Sequence, residues 1–193
     1  HHGSVGVFYS RFANYLAETG TGRFRNDDGD VVAQGDDDAL PEAVYQGVPA
    51  EFFGFEADGT FRVFERGGHA LDLKLWGDYT NARNRDTGEP LPRIPPLRLG
   101  IGLDYSHGPW SAGASVERAF AQHRAPDNEL PTDAYYRLDA SAAYRFKMRG
   151  MQWQAYLRGI NLTNQTIRYA TSVLRDVAPE GGRAVMVGIR GSF

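Results

Sequence analysis

The 193-residue chain contains no cysteine, which excludes both a disulfide framework and a thiolate metal site. It also has no apolar run close to the roughly 18 residues that a membrane-spanning helix needs, so a helical membrane protein is excluded. The net charge of -3 gives no reason to expect a nucleic-acid partner. Neither a Gly-x-Ser-x-Gly motif nor a phosphate-binding glycine loop is found, and we therefore predict no enzymatic activity.

The carboxyl-terminal ten residues alternate strictly in polarity. One set is apolar and the other is small or polar: Val185, Val187, Ile189, Gly191 and Phe193 against Met186, Gly188, Arg190 and Ser192. Successive side chains of a strand point to opposite faces, so this tail has one apolar face and one polar face. About ten residues is also the length that a tilted strand needs to cross a bilayer.

The same alternation recurs in seven upstream segments, which predicts about eight strands in all. These segments are residues 5–15, 53–63, 71–79, 97–105, 110–117, 136–146 and 152–158. Aromatic residues make up 12% of the chain, which fits both strands and the aromatic girdles of membrane barrels.

The connections between these segments alternate between short and long. Residues 66–69, 106–109 and 147–150 predict tight turns, whereas residues 19–47, 81–96, 122–133 and 163–182 predict long polar loops. Short periplasmic turns and long extracellular loops are typical of bacterial outer-membrane barrels. We therefore predict an all-β, antiparallel transmembrane β-barrel in the bacterial outer membrane, with outer-membrane lipid against its apolar face.

A soluble antiparallel sandwich is the alternative, because its strands alternate as well. The water-facing side of a sandwich should carry many Lys and Glu residues. Here the polar set is rich in Gly, Ser, Arg and Asp, which favours a lumen in which opposite charges pair.

Several segments resemble one family of outer-membrane proteins. The run Tyr-Leu-Arg-Gly-Ile-Asn-Leu-Thr-Asn at 156–164, followed by Tyr169, resembles the penultimate strand of TonB-dependent receptors, and the terminal Phe193 resembles their closing strand. Residues 53–57, 91–100 and 176–183 resemble the zinc-uptake branch of that family.

This resemblance implies active uptake of a scarce nutrient, zinc or another metal, through a 22-stranded barrel with a plug on which the TonB energy-transducing complex pulls. Residues 5–193 would be the C-terminal barrel segment of such a receptor, without the plug, and His1-His2-Gly3-Ser4 resembles a tag remnant. Whether the segment closes as its own barrel stays open. The alternative is a small non-transporting barrel with a structural or adhesive role.

Two sets of candidate functional residues follow. His123, Asp127 and Glu129 share one predicted extracellular loop and offer a zinc donor set, with an ordinary polar loop as the alternative. His69 and His107 fall in tight turns and are interpreted as solvated residues. No resident cofactor is expected, since zinc would be cargo.

The second set lies in the last strand. Val185, Val187, Ile189 and Phe193 resemble the signal that the barrel-assembly machinery reads by strand addition at an exposed edge.

Overall fold

A computed structural model describes residues 1–192; Phe193, part of the predicted assembly signal, lies outside the described residues. The strands are β1 (His2–Arg25), β2 (Val31–Val32), β3 (Leu40–Arg66), β4 (His69–Asn84), β5 (Arg98–His107), β6 (Trp110–Ala119), β7 (Tyr135–Met148), β8 (Met151–Ile160) and β9 (Ala184–Ser192). Within residues 1–192, no helix is long and apolar enough to cross a membrane.

All strands join one antiparallel sheet in the order β2-β1-β3-β4-β5-β6-β7-β8-β9. Each of the eight long strands overlaps one of the eight predicted segments, and the predicted all-β antiparallel fold is confirmed. The two-residue β2 is an addition, pairing only with the tip of β1. Among the described strands, β9 pairs with β8 alone and does not contact β1, so the sheet is open.

The predicted loop 19–47 was too long, because β1 and β3 continue as a hairpin well beyond the apolar alternation. The true connection is residues 26–39. Polar cross-strand contacts hold this extension: the Thr21 hydroxyl donates to Glu42 Oε2 at 2.7 Å, and Arg23 pairs with the same carboxylate at 2.7 Å. Such pairs stabilise a ladder without the apolar pattern from which the strands were predicted.

The three predicted tight turns are two-residue hairpin turns. Gly67 and Gly68 both have positive φ (59° and 80°), as do Arg149 and Gly150 (52° and 80°), which is the type I′ requirement. Gly108, with φ of 53°, precedes Pro109 in the manner of a type II′ turn. These turns match the right-handed strand twist and keep neighbouring strands in register.

The apolar side chains of the strands form one continuous, exposed face. In β5 these are Leu99, Ile101 and Leu103, and at the two ends of the sheet Val7 and Val187 are 83% and 80% exposed. No second sheet covers this face among residues 1–192, since all nine strands lie in a single sheet. The sandwich alternative is therefore wrong, and the apolar face is available to lipid.

The opposite face carries paired charges. Arg62 contacts Asp72 at 2.5 Å across β3 and β4, Lys74 pairs with Asp104, and Arg98 contacts Asp78 at 3.0 Å. Mutual neutralisation of this kind is expected where charged side chains line an enclosed polar interior.

Two small apolar clusters lie where the long loops meet the strands. One contains Ala17, Val48, Ala50, Ala82 and Leu91, and the other contains Ala119, Tyr135 and Ile167. These clusters anchor the loops onto the barrel wall.

Candidate functional site

The four long connections lie at the end opposite the tight turns, which is the extracellular end of an outer-membrane barrel. They span residues 26–39, 85–97, 120–134 and 161–183. Backbone hydrogen bonds run both ways between Gln122 and Thr132 (2.9 and 3.1 Å), and Gln122 Nε2 donates to the carbonyls of Ile94 and Pro95 (2.9 and 3.1 Å). The side-chain hydrogen bonds of Gln122 hold the 120–134 loop against the 85–97 loop.

The Asn-Leu-x-Asn segment forms the corner that follows β8. Asn161 is fully buried and has a left-handed φ of 48°, a conformation that Asn tolerates better than most residues. Its Nδ2 donates to the Gln165 carbonyl at 2.9 Å, while its Oδ1 accepts the Gln165 N–H at 3.1 Å. Asn164, with φ of 53°, accepts the Arg183 N–H at 2.9 Å. The motif thus folds the start of the last loop against its end.

A charged network supports this corner from β7. The Asn161 N–H donates to Asp139 Oδ1 at 2.9 Å, and Arg137 reaches Asp139 at 3.2 Å and Glu180 at 3.0 Å. Tyr169 donates its hydroxyl to Glu180. Burial and this hydrogen bond raise the pKa of Tyr169 to about 12, so the phenol stays protonated at neutral pH.

A second chain of charges links four separate elements: Glu18 of β1, Arg93 of the 85–97 loop, Glu129 of the 120–134 loop and Arg175 of the 161–183 loop. Arg93 pairs with Glu18 and donates its backbone N–H to Glu129 Oε2 at 3.2 Å. Arg175, whose side chain is 5% exposed, contacts the same carboxylate at 3.1 Å. Sequence reasoning missed Glu18, Arg93 and Arg175, because no local motif marks partners so far apart in the chain.

A polar cavity of about 460 Å³ lies beside this chain. Its lining includes four carboxylates and Arg23. Glu18 is paired with Arg93 and Glu42 with Arg23 and Arg25, whereas Glu89 and Asp127 form no ion pair among the described residues. Hydrogen bonds from the Thr21 hydroxyl and from Arg25 lower the pKa of Glu42 to about 2, so this carboxylate is ionised at neutral pH. Because Arg23 and Arg25 neutralise Glu42, the charge that a polar or cationic solute would meet in the cavity comes from Glu89 and Asp127.

The fold brings only one of the three predicted metal ligands, Asp127, to the cavity. Asp127 lines the cavity and is exposed, and His123 is exposed on the same loop, whereas Glu129 is engaged by two arginines. Among residues 1–192, no group of three or more His, Asp or Glu side chains is placed to hold a metal ion. The role of these three residues as ligands stays a prediction.

The predicted assembly residues Val185, Val187 and Ile189 lie on the exposed apolar face of β9. Arg190 pairs in register with Gln154 on the opposite face. Nothing in this arrangement tests recognition by the assembly machinery, and that role stays a prediction.

Comparison with known proteins identifies the fold and the family. Over 99% of its length the chain superposes on 29% of the copper transporter OprC, with a TM-score of 0.71 and 19% sequence identity. Over 77 residues it is 34% identical to the heme/hemopexin utilization protein C of Haemophilus influenzae (strain 86-028NP). These matched residues make up 37% of this chain and 11% of that protein. The chain thus spans less than a third of either protein.

The family profile described as "TonB dependent receptor-like, beta-barrel" matches residues 2–162, which is most of the chain. The single antiparallel sheet agrees with that match, and the predicted barrel fold is thereby confirmed. This chain therefore belongs to the TonB-dependent receptor β-barrel family of the bacterial outer membrane.

Proposed function

We propose that this chain forms part of the wall and four extracellular loops of a receptor that actively imports a scarce nutrient, with zinc or another metal as the cargo. The observation that carries the proposal is the folded loop layer. The Glu18–Arg93–Glu129–Arg175 chain holds the loops around a polar cavity of about 460 Å³ at the extracellular end. Glu89 and Asp127, which line the cavity without an ion-pair partner among the described residues, would attract a cationic solute before it enters the barrel.

Zinc is the cargo that the available donors favour. Imidazole and carboxylate are zinc ligands, and His123 and Asp127 are exposed on the loop that borders the cavity. With Glu129 committed to arginines, this loop would supply two donors, and further ligands would come from other parts of the receptor. OprC is named as a copper transporter and the Haemophilus influenzae protein is named for heme/hemopexin utilization, and these names support the proposal of a metal-containing cargo for this chain.

Energy for import would come from the TonB complex acting on a plug inside the completed barrel. Strands added at the free edges of β1 and β9 would close the barrel around that plug, because unpaired backbone groups are costly in lipid. We also propose that the β9 edge, with Val185, Val187 and Ile189 on its apolar side, engages the barrel-assembly machinery by strand addition.

The test is metal accumulation in cells that lack the receptor. Under zinc limitation, deletion should lower cellular zinc measured by mass spectrometry, and the receptor gene should restore it only when TonB is present. A His123→Ala/Asp127→Asn variant should restore zinc poorly. Asp36→Asn serves as the matched control, since Asp36 is an exposed loop carboxylate whose Oδ2 accepts the Ala33 N–H at 3.0 Å and which does not line the cavity.

Loss of copper or heme uptake with normal zinc would contradict the zinc assignment and keep the receptor function. A deletion that changes the uptake of none of the three would favour the structural or adhesive alternative.

A further inference from the structure

Three basic residues and two aromatic residues form a cross-strand row at the periplasmic end. Arg66 of β3 pairs in register with His69 of β4, which pairs with His107 of β5. His107 pairs with Trp110 of β6, and Trp110 pairs with Tyr144 of β7. We call these five residues the rim row. They lie next to the turns that end β3 and β5.

The rim row faces outward. In β4, His69 belongs to the same alternate set as Leu71, Leu73 and Leu75, and in β5 His107 belongs to the set of Leu103 and Tyr105. This set forms the apolar exposed face, so the row lies where that face meets the periplasmic headgroups. Trp and Tyr are enriched at this level of a membrane.

The two histidines are held in one geometry. Their rings stack with centroids 3.7 Å apart and an interplanar angle of 6°. The Tyr105 hydroxyl lies 2.6 Å from Nδ1 of His69 and fixes the orientation of that ring. The pair therefore presents a fixed polar edge at the membrane boundary.

Arg66 brings a charge that the protein does not neutralise. Among the described residues no carboxylate lies within ion-pair distance of Arg66, whereas the inward-facing Arg62, Lys74 and Arg98 each have at least one. A basic residue at the membrane surface is attracted to anionic headgroups, and no carboxylate of the described residues competes for Arg66. A metal ion does not fit, because Arg66 would repel it and no third ligand is at hand.

We propose that the rim row binds the phosphate of an anionic phospholipid in the periplasmic leaflet. The Arg66 guanidinium matches phosphate geometry with two parallel N–H donors, and the stacked histidines offer ring N–H groups beside it. Trp110 and Tyr144, whose ring centroids are 4.5 Å apart, flank the boundary between headgroup and acyl chains. This site is independent of the transported nutrient.

Quenching of Trp110 fluorescence by brominated lipids tests the proposal. The full-length receptor that contains this chain, with Trp110 as its only tryptophan, is reconstituted in vesicles containing dibrominated phosphatidylglycerol or dibrominated phosphatidylcholine at equal mole fraction. Trp76 and Trp153 are among the tryptophans replaced by Phe, since Trp76, on the inward face against Gly100, would otherwise add emission that does not report on the rim row. We expect a relative binding constant for phosphatidylglycerol about five-fold above that for phosphatidylcholine, the preference that one basic residue near the surface provides.

Arg66→Gln and the double substitution His69→Gln/His107→Gln should each reduce the preference, and Arg149→Gln should not. Arg149 is the matched control because it carries the same charge in another periplasmic turn, outside the row. Equal quenching by both lipids in the single-tryptophan receptor with Arg66, His69 and His107 intact would overturn the proposal, as would an equal loss of the preference in the Arg149→Gln variant. Abolition of the preference by inorganic phosphate would assign the site to a free anion and would equally overturn it. Circular dichroism confirms that each variant retains its β-sheet.

Discussion

Replacement of Asn161 by alanine should open the corner after β8. The side chain is fully buried and exchanges two hydrogen bonds with the backbone of Gln165, at 2.9 and 3.1 Å. The backbone φ of 48° also favours Asn over Ala. Asn161→Ala therefore removes both hydrogen bonds and also places a residue that disfavours positive φ at this position.

The expected loss follows from these two terms. Leaving buried backbone groups without partners costs about 1–3 kcal/mol. Holding alanine in the left-handed region costs roughly a further 1–2 kcal/mol. We therefore expect the free energy of unfolding to fall by about 2–5 kcal/mol.

Urea unfolding of the full-length receptor that contains this chain, folded in lipid bilayers and followed by circular dichroism, measures this loss. Asn161→Gly separates the two terms, because glycine accepts the positive φ but cannot make the hydrogen bonds, so it should recover about 1–2 kcal/mol relative to alanine. Asn164→Gly should cost only about 1 kcal/mol, since one hydrogen bond to the Arg183 N–H is lost. If the unfolding free energy of Asn161→Ala lies within about 0.5 kcal/mol of the unsubstituted protein, which is the effect of a neutral surface change, the corner does not stabilise the fold as described.

Two further predictions concern the wall and the β1–β3 hairpin. Gly100→Ala should lower the free energy of unfolding in urea by about 1–3 kcal/mol, because the new methyl group would meet the Trp76 ring. Gly6→Ala is the control and should be nearly neutral, since a methyl group there has open space on the same face. Equal effects of the two substitutions would contradict this packing. The pKa of Glu42 is lowered from 4.5 to about 2 in the folded protein, so its ion pairs contribute stability that is present above pH 4.5 and lost as the pH falls towards 2. Pepsin should therefore cleave the β1–β3 hairpin extension faster at pH 2 than at pH 4.5, with both rates expressed relative to an unfolded substrate. Equal relative cleavage rates at pH 2 and pH 4.5 would contradict the link between Glu42 ionisation and hairpin stability.

The strands in the membrane zone could be predicted from the sequence because burial against lipid imposes a period of two. Segments such as 97–105 and 136–146 carry that pattern and lie in β5 and β7. The hairpin turns were also predictable, since Gly67-Gly68 and Arg149-Gly150 supply the positive φ that they require.

The hairpin extension and the loop network could not be predicted in the same way. Beyond the apolar zone, water contacts both faces of β1 and β3, so no alternation marks the residues up to Arg25 or from Leu40. The partners Glu18 and Arg93 are 75 positions apart, and only the folded sheet brings them together. The donor set on the 120–134 loop was predicted from residue type alone, which could not reveal that Glu129 is bound by arginines.

The central claim is that the apolar face of each strand meets hydrocarbon and that the charged face lines a polar interior. Spin labels on single cysteines at residues 98–107 of β5, with the protein in bilayers, test it most directly. Collision with oxygen should be high at 99, 101, 103 and 105, and collision with a polar nickel reagent should be high at the even positions between them. A uniform profile, or one with the two reagents exchanged, would contradict the account.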